Sequence, residues 1–160
     1  MTIAYIGVGS NIDRRKHIVA ACRELELLSQ DTAFSPVYAS ESYGFSGNEF
    51  YNLVVRIKTS HTAASLSAAL KEIEVKWGRE LGAKKFQNRT LDLDILLFGN
   101  EISQKKPILP REDIFKYSFV IQPLYDLAPD LVIPQDGRTV TQIWQAMSDP
   151  VELRTIDLNL

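Results

Sequence analysis

The chain has 160 residues, of which 45% are hydrophobic and 24% are charged, and its formal net charge is −2 at pH 7. This composition is typical of one globular domain, excludes disordered and fibrous classes, and disfavours a protein that coats nucleic acid. One cysteine and two histidines leave no internal disulfide and little for a zinc site. No apolar run reaches the roughly 18–20 residues that cross a bilayer, and the N-terminus reads as a strand rather than a signal peptide. We therefore expect a cytoplasmic protein with a single domain over residues 1–160.

The hydrophobic pattern of the first hundred residues alternates between the periods of strands and helices. It predicts strands over 2–9, 32–38, 50–58 and 91–98, and helices over 14–28 and 62–77. Polar, glycine-containing stretches at 40–48 and 78–88 predict mobile loops. The resulting order is that of an α+β fold with a ferredoxin-like split β-α-β-β-α-β core and an antiparallel sheet. The residues after Pro107 form a C-terminal extension, with short helices predicted over 119–127 and 140–147.

The last predicted strand carries two aspartates between leucines. Because side chains alternate along a strand, Asp92 and Asp94 share one face, with Cβ atoms roughly 7 Å apart. The other face would carry the apolar set Leu91, Leu93, Ile95 and Leu97. Aspartate is unfavourable in strands, which suggests that magnesium, a cation that prefers carboxylate oxygens, offsets the cost. The alternative from the residues alone is a solvated face.

A basic stretch precedes this strand. Residues 76–89 contain five basic side chains and one acid, Glu80, which gives +4 in fourteen residues. The guanidinium groups of Arg79 and Arg89 suit phosphate, and beside a carboxylate pair they indicate phosphoryl transfer. The alternative is a solvated loop with ordinary ion pairs. No Walker-type loop follows the GVGSN turn, and His17 is predicted to be a surface residue rather than a catalytic one.

Three segments together carry a family resemblance: YIGVGSN at 5–11, RTLDLDILLFG at 89–99 and PLYDLAPDLVIP at 123–134. In this order, which spans nearly the whole chain, they resemble the 6-hydroxymethyl-7,8-dihydropterin pyrophosphokinases of folate biosynthesis. The resemblance implies a ferredoxin-like fold. It also implies a magnesium-dependent transfer of the terminal diphosphate of ATP to the pterin hydroxymethyl group, with release of AMP.

The resemblance also implies roles for individual residues. Asp92 and Asp94 would hold two magnesium ions and, with Arg79 and Arg89, form the catalytic set. Four residues would contact the nucleotide: Glu74, Arg79, Arg89 and Arg111. The pterin would be bound by Asn52, by the rings of Phe50 and Phe119 on its two faces, and by Tyr43 at its entrance. ATP and the pterin are the expected partners of a monomer that binds neither nucleic acid nor membrane.

The chain also departs from the family pattern at several positions. Phe86 and Asn88 replace the usual tryptophan and proline, and Leu81 and Tyr117 fall where arginines are usual. Arg111 stands where a histidine is common, and Glu41 lies in a segment that is usually rich in threonine and proline. These departures keep two alternatives open, namely an enzyme with another acceptor and a binding protein without turnover. An RNA-binding module is disfavoured by the net charge.

Overall fold

The computed structural model describes residues 1–40, 49–78, 90–147 and 152–160. Its elements run in the order β1 (Thr2–Ser10), α1 (Arg14–Leu27), β2 (Asp31–Phe34), β3 (Val37–Ser40), β4 (Phe50–Thr59), α2 (Ala63–Lys76), β5 (Asp92–Phe98), α3 (Asp113–Lys116), α4 (Ser118–Leu127), α5 (Val140–Gln145) and β6 (Arg154–Ile156). In these ranges no helix has the length and apolar character that crossing a membrane requires.

The described strands form one antiparallel sheet with the order β5-β1-β4-β3-β6, and β2 also pairs with β4. The predicted α+β class is therefore confirmed, because β1 lies between β4 and β5 as the split pattern requires. The single strand predicted over 32–38 is wrong, since Ser35 and Pro36 divide it into β2 and β3. Proline cannot donate to a ladder, and the Ser35 hydroxyl instead accepts the Val54 amide at 2.9 Å.

Helices cover both faces of the sheet, which explains why β1 is apolar on both sides. On the first face α1 and α2 cover a core that includes Ala4, Ile6, Val8, Leu53, Val55 and Ile57. On the second face the C-terminal helices cover another core, which includes Tyr5, Val54, Leu96, Ile121, Leu124 and Ile143. The predicted C-terminal extension is thus a third layer against the sheet.

A β-bulge interrupts β5 and changes which side chains share a face. Ile95 lies opposite Ile6, whereas Leu97 lies opposite Tyr5, so Leu96 is the extra residue. Leu97 consequently joins Leu96 in the second core, and its predicted place on the face of Leu93 is wrong. Asp92 and Asp94 precede the bulge and keep the alternation that was predicted for them.

A chain of hydrogen bonds connects β3 to the C-terminal helices. The Tyr38 hydroxyl donates to Asp126 on α4, and the Gln122 side-chain amide donates to the same carboxylate at 3.2 Å. The Trp144 indole on α5 then donates to Gln122 at 2.8 Å. Burial and this carboxylate raise the pKa of Tyr38, so the hydroxyl keeps its proton at physiological pH.

We expect Tyr38→Phe to lower the free energy of unfolding by about 1 kcal/mol, because it removes one hydrogen bond to a carboxylate. The matched control is Tyr125→Phe. The Tyr125 ring stacks on Trp144 with centroids 4.1 Å apart, and its hydroxyl makes no hydrogen bond within the described residues. Urea unfolding of both variants checks the difference, and equal losses would contradict the assigned bond.

Candidate active site

The register of the central strands brings the predicted functional residues onto one face. Gly9 of β1 pairs with Asp92 of β5 on one side and with Asn52 of β4 on the other. Gly7 pairs in the same way with Asp94 and Val54. Because cross-strand partners direct their side chains to the same face, the carboxylate pair and the predicted pterin-binding amide lie about 10 Å apart, two strand spacings across the sheet.

Gly9 provides the space that Asn52 occupies. A Cβ atom at this position would lie 2.7 Å from Oδ1 of Asn52 and 3.8 Å from the Phe50 ring. The first distance is shorter than side chains tolerate, so any larger residue would displace the amide. Asn52 Nδ2 also lies 3.5 Å from the Ser40 hydroxyl, which accepts its hydrogen bond. Phe50 and Asn52, both predicted pterin ligands, are therefore neighbours at this glycine.

The environment of the carboxylate pair disfavours a second negative charge. Desolvation raises the pKa of Asp94 to about 8, and the charge of Asp92 adds to the shift, while Arg111 opposes it. The carboxylates of Asp92 and Asp94 provide hard oxygen ligands on one face. This arrangement suits a cation that takes its remaining ligands from phosphate and water. Groups of three or more potential metal-ligating side chains are absent from the described residues. The donor set therefore fits magnesium held together with a polyphosphate.

Arg111 lies directly beside this pair. Its Nη2 is 3.5 Å from Oδ1 of Asp94, and its Nε donates to Asp113 at 3.1 Å. Burial lowers the pKa of Arg111, but the charges of Asp94 and Asp113 more than offset this, and the net pKa is raised. A permanent positive charge is thus held at the predicted metal ligands, where nucleotide phosphates are expected.

Glu74, the other predicted nucleotide contact, is buried at 6% exposure on α2. Its Oε2 accepts a hydrogen bond from the Leu93 amide at 2.7 Å. Leu93 stands between the two aspartates, so this carboxylate fixes the backbone that carries them. Its contact with a nucleotide stays a prediction.

We expect Glu74→Ala to lower the free energy of unfolding by about 1–3 kcal/mol, because the Leu93 amide loses a charged acceptor. Hydrogen exchange at Leu93 should accelerate. Glu74→Gln, which keeps an acceptor oxygen, should retain most of the protection. The exposed Glu72→Ala on the same helix is the control, and unchanged exchange in Glu74→Ala would exclude this role.

Phe119 lies at the beginning of α4, where its half-buried ring stacks on Tyr117 with centroids 4.9 Å apart and planes at 14°. Its ring packs against the second core, which lies on the face of the sheet that carries Asn52. Its role in stacking on a pterin stays a prediction. Tyr117, predicted only as a departure from the family pattern, contributes an aromatic surface beside it.

Several predicted residues lie outside the described ranges. They are Tyr43, Arg79 and Arg89 of the predicted site, and Glu41, Leu81, Phe86 and Asn88 of the departures. Their roles stay predictions. Two residues at the site were missed from the sequence, Gly9 and Asp113. A glycine inside a buried strand often marks a close approach, so the GVG segment held a usable signal for Gly9.

Known proteins resemble this chain over most of its length. The family model described as 7,8-dihydro-6-hydroxymethylpterin-pyrophosphokinase (HPPK) matches residues 5–129. The 2-amino-4-hydroxy-6-hydroxymethyldihydropteridine pyrophosphokinase of Haemophilus influenzae is 34% identical over 154 residues, which cover 93% of this chain and 95% of that protein. The Pseudomonas aeruginosa protein of the same name is 38% identical over 151 residues, covering 89% and 90%.

A solved structure shares the fold. The crystal structure of Plasmodium falciparum HPPK-DHPS wild type with SDX-DHP gives a TM-score of 0.69 at 14% identity. The match covers 91% of this chain but only 43% of that longer chain. The family match and the relatives above 30% identity, taken with a sheet that aligns Asp92, Gly9 and Asn52, show that the chain belongs to the HPPK family.

Proposed function

We propose that this chain transfers diphosphate from ATP to the hydroxymethyl group of 6-hydroxymethyl-7,8-dihydropterin in folate biosynthesis, with release of AMP. Membership of the HPPK family supports this reaction. The observation that carries it is the shared face of Asp92, Asp94 and Asn52, with Gly9 between them. A cation-binding pair and a heterocycle-binding amide so placed would bring a polyphosphate next to a pterin.

Asp92 and Asp94 would hold magnesium, in the expected number of two ions, together with the ATP phosphates. When bound, the magnesium would neutralise phosphate charge and favour attack at the β-phosphorus. Both carboxylates project from a strand whose backbone is fixed by β1 on one side and by Glu74 on the other. This rigidity limits the reorganisation that the reaction requires.

The other side chains position the two substrates. Asn52 would pair with the pterin amide edge through both its donor and its acceptor, while Phe50 and Phe119 would stack on the ring. Arg111, with Arg79 and Arg89, would bind phosphate oxygens. The pterin oxygen then forms a bond to the β-phosphorus as the bond from that phosphorus to the α,β-bridging oxygen breaks. The bridging oxygen leaves with AMP, and the hydroxyl proton passes to solvent.

The test is AMP formation from ATP and magnesium, measured with and without 6-hydroxymethyl-7,8-dihydropterin. AMP that appears only with the pterin and only with a divalent cation is the expected result. ATP binding without AMP release, from protein shown to be folded by circular dichroism, would contradict the proposal. It would favour another acceptor or a binding protein without turnover.

The single-domain organisation, the monomeric state and the cytoplasmic location are also part of this proposal. The sheet with its two helical layers supports one structural unit. Light scattering coupled to size-exclusion chromatography tests the monomer, and a mass of twice the chain would contradict it.

A further inference from the structure

Arg111 is held beside Asp92 and Asp94, the proposed metal ligands, from two directions. Its backbone amide donates to the Leu96 carbonyl at 3.0 Å, so the residue is attached to β5, the strand of Asp92 and Asp94. Its side chain is 35% exposed and lies between Asp94 at 3.5 Å and Asp113 at 3.1 Å. The backbone of Arg111 is therefore anchored to β5, and its guanidinium has a carboxylate on each of two sides.

This arrangement has a consequence for a free cation. A divalent cation at Asp94 would meet a positive charge that already interacts with the same carboxylate, and like charges at such a distance repel. To bind, the cation would have to displace Arg111 from Asp94 or contact the Asp94 carboxylate together with Arg111. In both cases the affinity for a cation alone is reduced.

A polyphosphate changes the balance. Its oxygens offer the guanidinium a planar, bidentate acceptor that competes with the single 3.5 Å contact to Asp94. The bond from Nε to Asp113 can persist while Nη2 turns from Asp94 to phosphate, since the guanidinium carries five donors. Release of Asp94 and capture of phosphate are then one small movement.

We propose that Arg111 occupies Asp94 in the nucleotide-free protein and thereby makes the site select a cation–polyphosphate complex over the free cation. This rests on the proposed function, because it assigns the cation to Asp92 and Asp94. Arg111 acts here as a specificity-determining residue through its charge on Asp94. A neutral histidine at this position would carry no permanent charge and would not exclude the cation in this way.

The experiment measures Mn²⁺ binding to the nucleotide-free protein. The readout is the loss of the free-ion signal in electron paramagnetic resonance. Arg111→Gln should bind Mn²⁺ about fivefold to tenfold more tightly than the unsubstituted protein when no nucleotide is present. Arg111→Lys keeps the charge and should restore weak binding. Arg138→Gln is the matched control, because Arg138 is an exposed arginine that pairs with Asp136.

Repetition with a non-hydrolysable ATP analogue completes the test. The advantage of Arg111→Gln should then vanish or reverse, because the variant has lost a phosphate ligand. Unchanged or weaker Mn²⁺ binding by folded Arg111→Gln without nucleotide would overturn the inference and leave the proposed function standing. If Asp94→Asn leaves Mn²⁺ binding unchanged both in the unsubstituted protein and in Arg111→Gln, the metal assignment is overturned, and the inference with it.

Discussion

Asp94→Asn is expected to reduce AMP formation by about a hundredfold or more while making the metal-free protein more stable. The loss arises because the amide cannot hold a cation as a carboxylate does, and fixed electrostatic groups of this kind contribute on that order. The gain arises because two like charges about 7 Å apart repel by about 2 kcal/mol at an effective dielectric constant near 20. Arg111 offsets part of that repulsion, so we expect a net gain of about 1 kcal/mol at pH 8.5.

The contribution of Asp94 to the free energy of unfolding depends on pH. The pKa of Asp94 rises from 3.8 to about 8 on folding, so the folded protein holds a proton that the unfolded chain has released. The contribution of this group to stability is therefore fully present below pH 3.8 and is lost as the pH rises to about 8. Asp94→Asn removes this contribution to the dependence of the free energy of unfolding on pH.

Urea unfolding in a chelator at pH 6 and pH 8.5 checks both statements. The unsubstituted protein should lose more stability between these values than Asp94→Asn does. Asp130→Asn, at an exposed position in the described structure, is the control for the loss of one negative charge. Near-normal AMP formation by Asp94→Asn would exclude the metal assignment, and a lower stability at pH 8.5 would exclude the electrostatic account.

Gly9→Ala is expected to raise the KM for the pterin by about tenfold while the KM for ATP stays nearly constant. The added methyl would lie 2.7 Å from Oδ1 of Asn52 and must move the amide, which weakens hydrogen bonds worth on the order of 1–2 kcal/mol. Asn52→Ala should produce a similar or larger loss on the pterin alone. Steady-state kinetics with each substrate varied in turn measures both effects.

A double-mutant cycle makes this prediction specific. Gly9→Ala should lower the free energy of unfolding by about 1–3 kcal/mol, as overpacking does, but much less when Asn52 is already alanine. Gly7→Ala is the matched control in the same strand, because its Cβ would lie an ordinary 3.4 Å from the Leu96 side chain. Equal increases in both KM values, or the same stability cost in both backgrounds, would contradict the role of this close approach.

The sequence predicted those features of the fold and the site that depend on period and order. The apolar faces of β1 and the alternation in β5 placed the sheet and turned Asp92 and Asp94 to one side. The proline at position 36 was a local signal for the break between β2 and β3, whereas the bulge at Leu96 could not be predicted because it depends on how β5 pairs with β1. The predicted length of the first helix was accurate to one residue.

Tertiary contacts account for the remaining errors. His17 was predicted at the surface, yet it is buried at 5% exposure, with Nδ1 2.7 Å from the Ile12 carbonyl and its ring edge-on to Trp77. A helical histidine gives no local sign of such a neighbour. The link from Glu74 to Leu93 spans nineteen residues and forms only when α2 packs beside β5. Asp113 was missed because its role at the site is to accept a hydrogen bond from Arg111, a contact that the sequence does not reveal.

The second face of the sheet is divided between core and site. Tyr5, Val54 and Leu96 are buried under the C-terminal helices, whereas two residues further along β1 the half-buried Gly7 lies between Asp94 and Val54. A larger residue at Gly9 would displace Asn52 rather than extend this core, because a Cβ atom there would lie 2.7 Å from Oδ1 of Asn52. At this end of the sheet, natural selection for stability and selection for the proposed pterin contact therefore favour the same residue, glycine, at position 9.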